Sequence, residues 1–227
     1  MGGKGQTRWV REGRTPDNFD CVYRRLRRRY KRHPLESFTD VRDPFETLVS
    51  GILSSRTRDE TTNQVMRRLF PRYGTPKKML RLSEEELARL IYPVGFYRQK
   101  ARFLREACRM LVEEFGGKVP ETREELMRIP GVGRKVANLI LSVVFGQDVI
   151  CVDTHVHRIS QRLGWQVAKT PEETEQNLMR ILPRRSWRYI NLILVNHGQR
   201  VCHPVGPECS RCPIADCCPR VGVENPR

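Results

Sequence analysis

The sequence predicts an all-α fold, and three observations predict it. Apolar residues recur every three to four positions in one segment after another, cap residues followed by Pro or by Glu three positions on punctuate the chain, and strand signals are all but missing. In the first segment Phe19, Val22, Tyr23, Leu26 and Tyr30 share one helical face, with arginines on the other. Asp43-Pro44 opens the next, where Phe45, Leu48, Val49, Ile52 and Leu53 form an almost unbroken stripe that predicts a core helix. Thr75-Pro76 and Ser83 with Glu86 open two more. From Tyr97 to Phe115, Ala101, Leu104, Cys108, Leu111, Val112 and Phe115 fall on one face, and Gly116-Gly117 supply the stop. Thr122 with Glu125, and Thr170-Pro171 with Glu173, repeat the opening signal. Only Val149 to Val152 tempts as a strand, and it is too short to build a sheet.

The 227 residues hold 42 Lys and Arg against 26 Asp and Glu, a net charge of +16, which implies a polyanionic partner. The length suits one large domain or two small ones, either able to bury a core without staples. No apolar run approaches the roughly 18 residues of a membrane span. The basic amino terminus has no apolar stretch behind it, so no secretory signal is expected. The expectation is a cytoplasmic, nucleoid-associated protein in a reducing compartment, where eight cysteines point to metal or free thiols rather than disulfides. The charge is uneven. Residues 1–34 carry eleven Lys and Arg, from Lys4 to Lys31 and Arg32, against Glu12, Asp17 and Asp20. Such an arginine face is either a solvated helix surface or a set of added phosphate contacts.

Between a helix ending near Ile129 and one beginning near Arg134 lies Pro130-Gly131-Val132-Gly133, too short and glycine-rich for anything but a tight turn. Short αα-hairpins make such turns routinely. Here Lys135 sits in the following first turn, and the helix start offers backbone N–H groups and the positive end of a dipole, so a phosphate seat is the better reading.

The run Leu126-Met127-Arg128-Ile129-Pro130-Gly131-Val132-Gly133-Arg134-Lys135-Val136-Ala137, with Val152-Asp153-Thr154-His155 after it, closely resembles the helix-hairpin-helix and Gly/Pro-Asp motif of the endonuclease III family. The resemblance runs from about Asp43 through Cys218. It implies two helical subdomains with a DNA-binding cleft between them: a basic extension over 1–34, a central subdomain over 35–150 with the hairpin at about 122–145, and a second subdomain over 151–227. It implies a bifunctional DNA glycosylase and abasic-site lyase that removes oxidised pyrimidines from duplex DNA, acting as a monomer. Lys135 is then the nucleophile, since an amine can form a Schiff base at the deoxyribose C1′ and a hydroxyl cannot. Asp153 is the carboxylate that stabilises positive charge on the sugar, and it also reads as the cap of the helix that follows. Gly131, Val132, Gly133 and Arg134 hold the DNA backbone. A flipped nucleotide leaves a hole in the duplex. By resemblance, the fillers are Arg56, where the family commonly has glutamine, and Phe96, where it commonly has leucine, so opposite-base preference is expected to differ.

Cys202, Cys209, Cys212, Cys217 and Cys218 crowd into the tail, and such clustering signals a metal. Thiolates alone leave zinc and iron open. The resemblance chooses a four-iron four-sulfur cluster on Cys202, Cys209, Cys212 and Cys218, with Cys217 as a spare. Cys21, Cys108 and Cys151 read as small buried apolar residues or free thiols. Two other functions compete: a monofunctional mismatch glycosylase, disfavoured by lysine at 135, and a non-enzymatic DNA-binding module with a redox-active cluster. Only Lys135 and Asp153 separate the module from the enzyme.

Overall fold

The computed structural model describes residues 6–30 and 43–227. The expected roles of Lys4, Lys31 and Arg32, and the subdomain boundary at 34/35, lie outside them. The described residues form helices with no strand, so the all-α expectation holds, and Val149–Val152 is a buried irregular segment. The chain divides into two units, one of Met1–Thr39 with Asp148–Arg227 and one of Asp40–Gln147.

The Asp40–Gln147 unit contains α3 (Pro44–Ser54), α4 (Asp59–Tyr73), α5 (Pro76–Met79), α6 (Glu84–Ile91), α7 (Tyr97–Glu114), α8 (Arg123–Arg128) and α9 (Arg134–Val143). Four of these begin where the sequence says. Asp43 Oδ1 accepts from the Glu46 N–H at 2.7 Å, and Thr75 and Thr122 cap α5 and α8 the same way. Ser83 and Glu86 form a reciprocal capping box on α6. The stripe on α3 is buried as expected: Leu48, Val49, Ile52 and Leu53 are all at most 2% exposed. Gly51 lies in that stripe because a Cβ there would strike Val136 Cγ1 of α9 at 2.6 Å, so the missing side chain lets the two helices close up.

The other unit contains α1 (Arg8–Glu12), α2 (Phe19–Arg29), α10 (Thr154–Arg162), α11 (Pro171–Ile181) and α12 (Arg184–Arg200), followed by a 3-10 turn at Cys209–Arg211. The apolar face of α2 enters a core shared with Trp165, Ile190, Ile193, Leu194 and Ile214. Asn18 ties the segment down, accepting from Trp165 Nε1 at 2.9 Å and donating to the Leu163 and Cys217 carbonyls.

One expectation is corrected here. Cys21 is not an unpaired small residue and Cys217 is not a spare thiol; they are joined as a disulfide across a sequence separation of 196. The packing of α2 on the tail brings the two sulfurs together, and no local spacing announces such a pair. Cys108 and Cys151 are buried and form no disulfide, as expected. Closing so long a loop constrains the unfolded chain, and disulfides typically add about 2–4 kcal/mol. Cys21→Ser is therefore expected to melt roughly 10 °C below the oxidised wild type and level with the wild type held reduced, as read by scanning calorimetry.

Among the described residues no helix is long and apolar enough to cross a membrane.

Candidate DNA-repair site

The hairpin joins α8 to α9. Ile129 and Val132 are buried beneath the turn, and the Val132 N–H bonds the Ile129 carbonyl at 3.0 Å. Arg123 Nε donates to buried Asn138 Oδ1 at 2.9 Å, tying the two helices together. The two glycines do different work. Gly131 has φ +83°, and a Cβ on it would press on Phe103 and Ile52 at 3.2–3.3 Å, so the turn itself requires glycine. Gly133 has φ −93°, which any residue adopts, and a Cβ on it would meet no atom within 4 Å. Nothing in the protein demands glycine there. What glycine provides is open approach to the first turn of α9, which has no side-chain cap and no acidic residue. Lys135 is exposed in that turn, one residue after half-buried Arg134.

Two further loops of this unit carry the expected fillers. Arg56 and Phe96 are exposed and both have left-handed backbones, φ 50° and φ 58°. Phe96 is 59% exposed, far more than a core aromatic. The Arg56 guanidinium carbon stands 5.7 Å from the Phe96 ring centroid, so the structure brings these residues together. Tyr92, 60% exposed, meets Tyr97 edge to face at 5.4 Å beside them.

In the other unit Asp153 is the N-cap of α10, its Oδ1 accepting from the Val156 N–H at 2.8 Å. Asn191 of α12 donates to the Cys151 carbonyl at 3.0 Å and fixes the segment leading in. Gly198 of α12 lets α10 come close, since a Cβ there would collide with the His155 ring. His157 Nδ1 pairs with Thr174 Oγ1 at 2.6 Å.

Cys202, Cys209, Cys212 and Cys218 are free thiols lining one small cavity. Burial pushes Cys212 up to about 11 and raises Cys218. Among the described residues no three His, Cys, Asp or Glu side chains converge on a single-ion site. Two residues missed in the sequence shape the cavity. Buried Arg162 donates to Cys202 Sγ at 3.2 Å and to the His203 and Pro204 carbonyls. His197, held between Tyr30 Oη at 3.1 Å and Cys212 Sγ at 3.7 Å, is driven by burial down to about 4 and is neutral.

Residues 49–184 match the family described as HhH-GPD superfamily base excision DNA repair protein. The chain belongs to this superfamily. HhH-GPD relatives named endonuclease III include that of Thermotoga maritima, 48% identical over 78% of this chain and 83% of its own, and that of Bacillus subtilis, 40% identical over 78% and 81%. The HhH-GPD fold is shared with the solved structure of a trapped endonuclease III–DNA covalent intermediate in an estranged-adenine complex. That structure has a TM-score of 0.77 and 36% identity, covering 88% of this chain and 94% of that one.

A side chain at Gly133 tests whether that open approach matters. Gly133→Val should leave folding within about 1 kcal/mol, because neither φ nor packing opposes it, yet weaken binding to abasic duplex by about tenfold or more in a fluorescence titration.

Proposed function

We propose that this protein is a bifunctional DNA glycosylase and abasic-site lyase of base excision repair, acting on oxidised pyrimidines in duplex DNA. The observation that carries the reading is Lys135, exposed in the uncapped first turn of α9, behind a glycine whose missing side chain serves nothing inside the protein. That turn seats a phosphate of the damaged strand with backbone N–H groups and the helix dipole, with Arg134 adding charge. Arg56 and Phe96 fill the gap left by the extruded nucleotide, the ring wedging between bases and the guanidinium facing the widowed base.

Lys135 Nζ, as the neutral amine, attacks C1′ while the bond to the base breaks and its electron pair leaves with the base. The Asp153 carboxylate stabilises positive charge on the sugar and takes the proton that the amine sheds. The nitrogen lone pair then opens the sugar ring, breaking C1′–O4′ as O4′ takes up a proton, which gives the protonated imine; loss of a proton from its C2′ expels the 3′ phosphate and cuts the strand. This sequence moves electron pairs only.

Cys202, Cys209, Cys212 and Cys218 fit a four-iron four-sulfur cluster: soft thiolates around one cavity are the donor set such a cluster takes. Cys217, engaged with Cys21, is left out of the set. When bound, the cluster fastens the tail into a fixed loop, and Arg200, Arg211 and Arg220 around it can meet DNA phosphates.

The test is a duplex carrying one thymine glycol, incubated with purified protein and resolved on a denaturing gel. The expected products are free base, a nick ending in an unsaturated sugar, and a protein–DNA band after borohydride. DNA binding without any of the three would favour the non-enzymatic module.

A further inference from the structure

Lys100 lies in α7 and is only 5% exposed. Its Nζ donates to the Leu53 carbonyl at 2.7 Å, the Ser55 carbonyl at 2.5 Å and Thr57 Oγ1 at 3.1 Å, which uses all three N–H bonds of an ammonium. Those acceptors span the end of α3 and the loop that carries Arg56. The Thr57 hydroxyl extends the network by accepting from the Gly95 N–H at 3.2 Å and donating to the Ser55 carbonyl at 3.2 Å. Gly95 sits directly on the Arg56 carbonyl, where a Cβ would come within 2.7 Å. One ammonium thus lies behind both loops, and each loop bears a residue in a left-handed conformation.

Left-handed backbones at Arg and Phe are strained and persist only where the surroundings over-determine them. Burial of a charged amine is costly as well, and it lowers Lys100 to about 8. A methionine of similar length would fill the same space without that cost, but it could not draw the Leu53 and Ser55 carbonyls and Thr57 onto one point.

We propose that Lys100 is a positioning residue which, from behind the two loops, holds Arg56 and Phe96 as a single filler for the emptied duplex and so sets the opposite-base preference. The inference rests on the glycosylase and lyase reading above. It separates two tasks on one protein: α9 supplies Lys135 for chemistry, while α7 supplies Lys100 for the fit to the widowed base.

The experiment compares wild type, Lys100→Met and Thr57→Ala in borohydride trapping on two kinds of abasic DNA. One is a single strand, which has no widowed base to face. The other is a set of duplexes presenting each of the four bases opposite the site. Misplacement by about 1 Å can cost roughly 10²-fold. Lys100→Met is expected to trap within about twofold of wild type on the single strand, to fall 10- to 100-fold on duplex, and to flatten the ranking among opposite bases. A probe base, 2-aminopurine, placed opposite the site should brighten less on binding the variant. Thr57→Ala, which removes one shared acceptor, should move the same way by a smaller factor. It carries the test if Lys100→Met does not fold. Equal loss on both substrates, or an unchanged duplex ranking, would overturn the inference while leaving the reaction intact. A wild type that traps on neither substrate would overturn the reaction, and the inference with it.

Discussion

Lys135→Ala yields no borohydride-trapped adduct, and strand cutting at an abasic site falls by about 10⁴-fold or more, the scale seen when a covalent nucleophile is removed. The fold should survive, since Lys135 is exposed and alanine is the better helix former. Loss of a phosphate contact would also weaken binding, so a second variant is needed. Lys135→Arg keeps the positive charge at the start of α9, yet a guanidinium does not shed its proton and cannot form the imine. It should bind abasic duplex nearly as well as wild type, with a similar salt dependence, and still trap nothing in single-turnover assays. An adduct formed by Lys135→Ala would place the nucleophile elsewhere.

Cys212→Ala loses bound iron and the visible absorbance that accompanies it, and its affinity for duplex DNA drops with them. Three thiolates cannot complete the set, and metal binding energy is folding energy for a loop with little regular structure of its own. Residues 201–227 hold a single 3-10 turn and no longer helix. The same loss is expected for Cys202, Cys209 and Cys218. Cys108→Ala is the control, because Cys108 is buried in the other unit and does not line the cavity; it should keep full iron and lose about 1 kcal/mol of stability. Iron content per chain, measured beside a thermal melt, separates the two cases. A Cys212→Ala protein with wild-type iron would remove Cys212 from the ligand set.

Helices announced by their own caps were legible in the sequence: Asp43, Ser83, Thr122 and Thr170 each sit at a helix start with the expected hydrogen bond. The long helix α12 was not. It opens with Pro183, Arg184 and Arg185, cations where the dipole favours anions, and it owes its form to the burial of Trp187, Ile190, Ile193 and Leu194. The site divides along the same line. Lys135 stands in the first turn behind a glycine-rich hairpin and five cysteines crowd into the tail, which the residues themselves announce; the role of Lys135, the choice of Cys202, Cys209, Cys212 and Cys218, and the roles of Arg56 and Phe96 rest on resemblance. Arg162 and His197 sit among core positions, and the Cys21–Cys217 pair spans 196 residues, so tertiary packing alone brings each to its partner. Lys100 did leave a signal: it falls four residues before Leu104 and eight before Cys108, a charge on the apolar stripe of α7.

One unit is assembled from segments on either side of the other, and this orders events at the ribosome. Residues 40–147 emerge as a continuous stretch that can settle while synthesis continues. The other unit has to wait, because α2 appears early and finds Ile190, Ile193 and Ile214 only after the intervening helices have been made. Until then its apolar face is open to the solvent and to chaperones, and Cys21 has no Cys217 to meet. The proposed cluster would have to be built later still, after the fourth sulfur has left the exit tunnel.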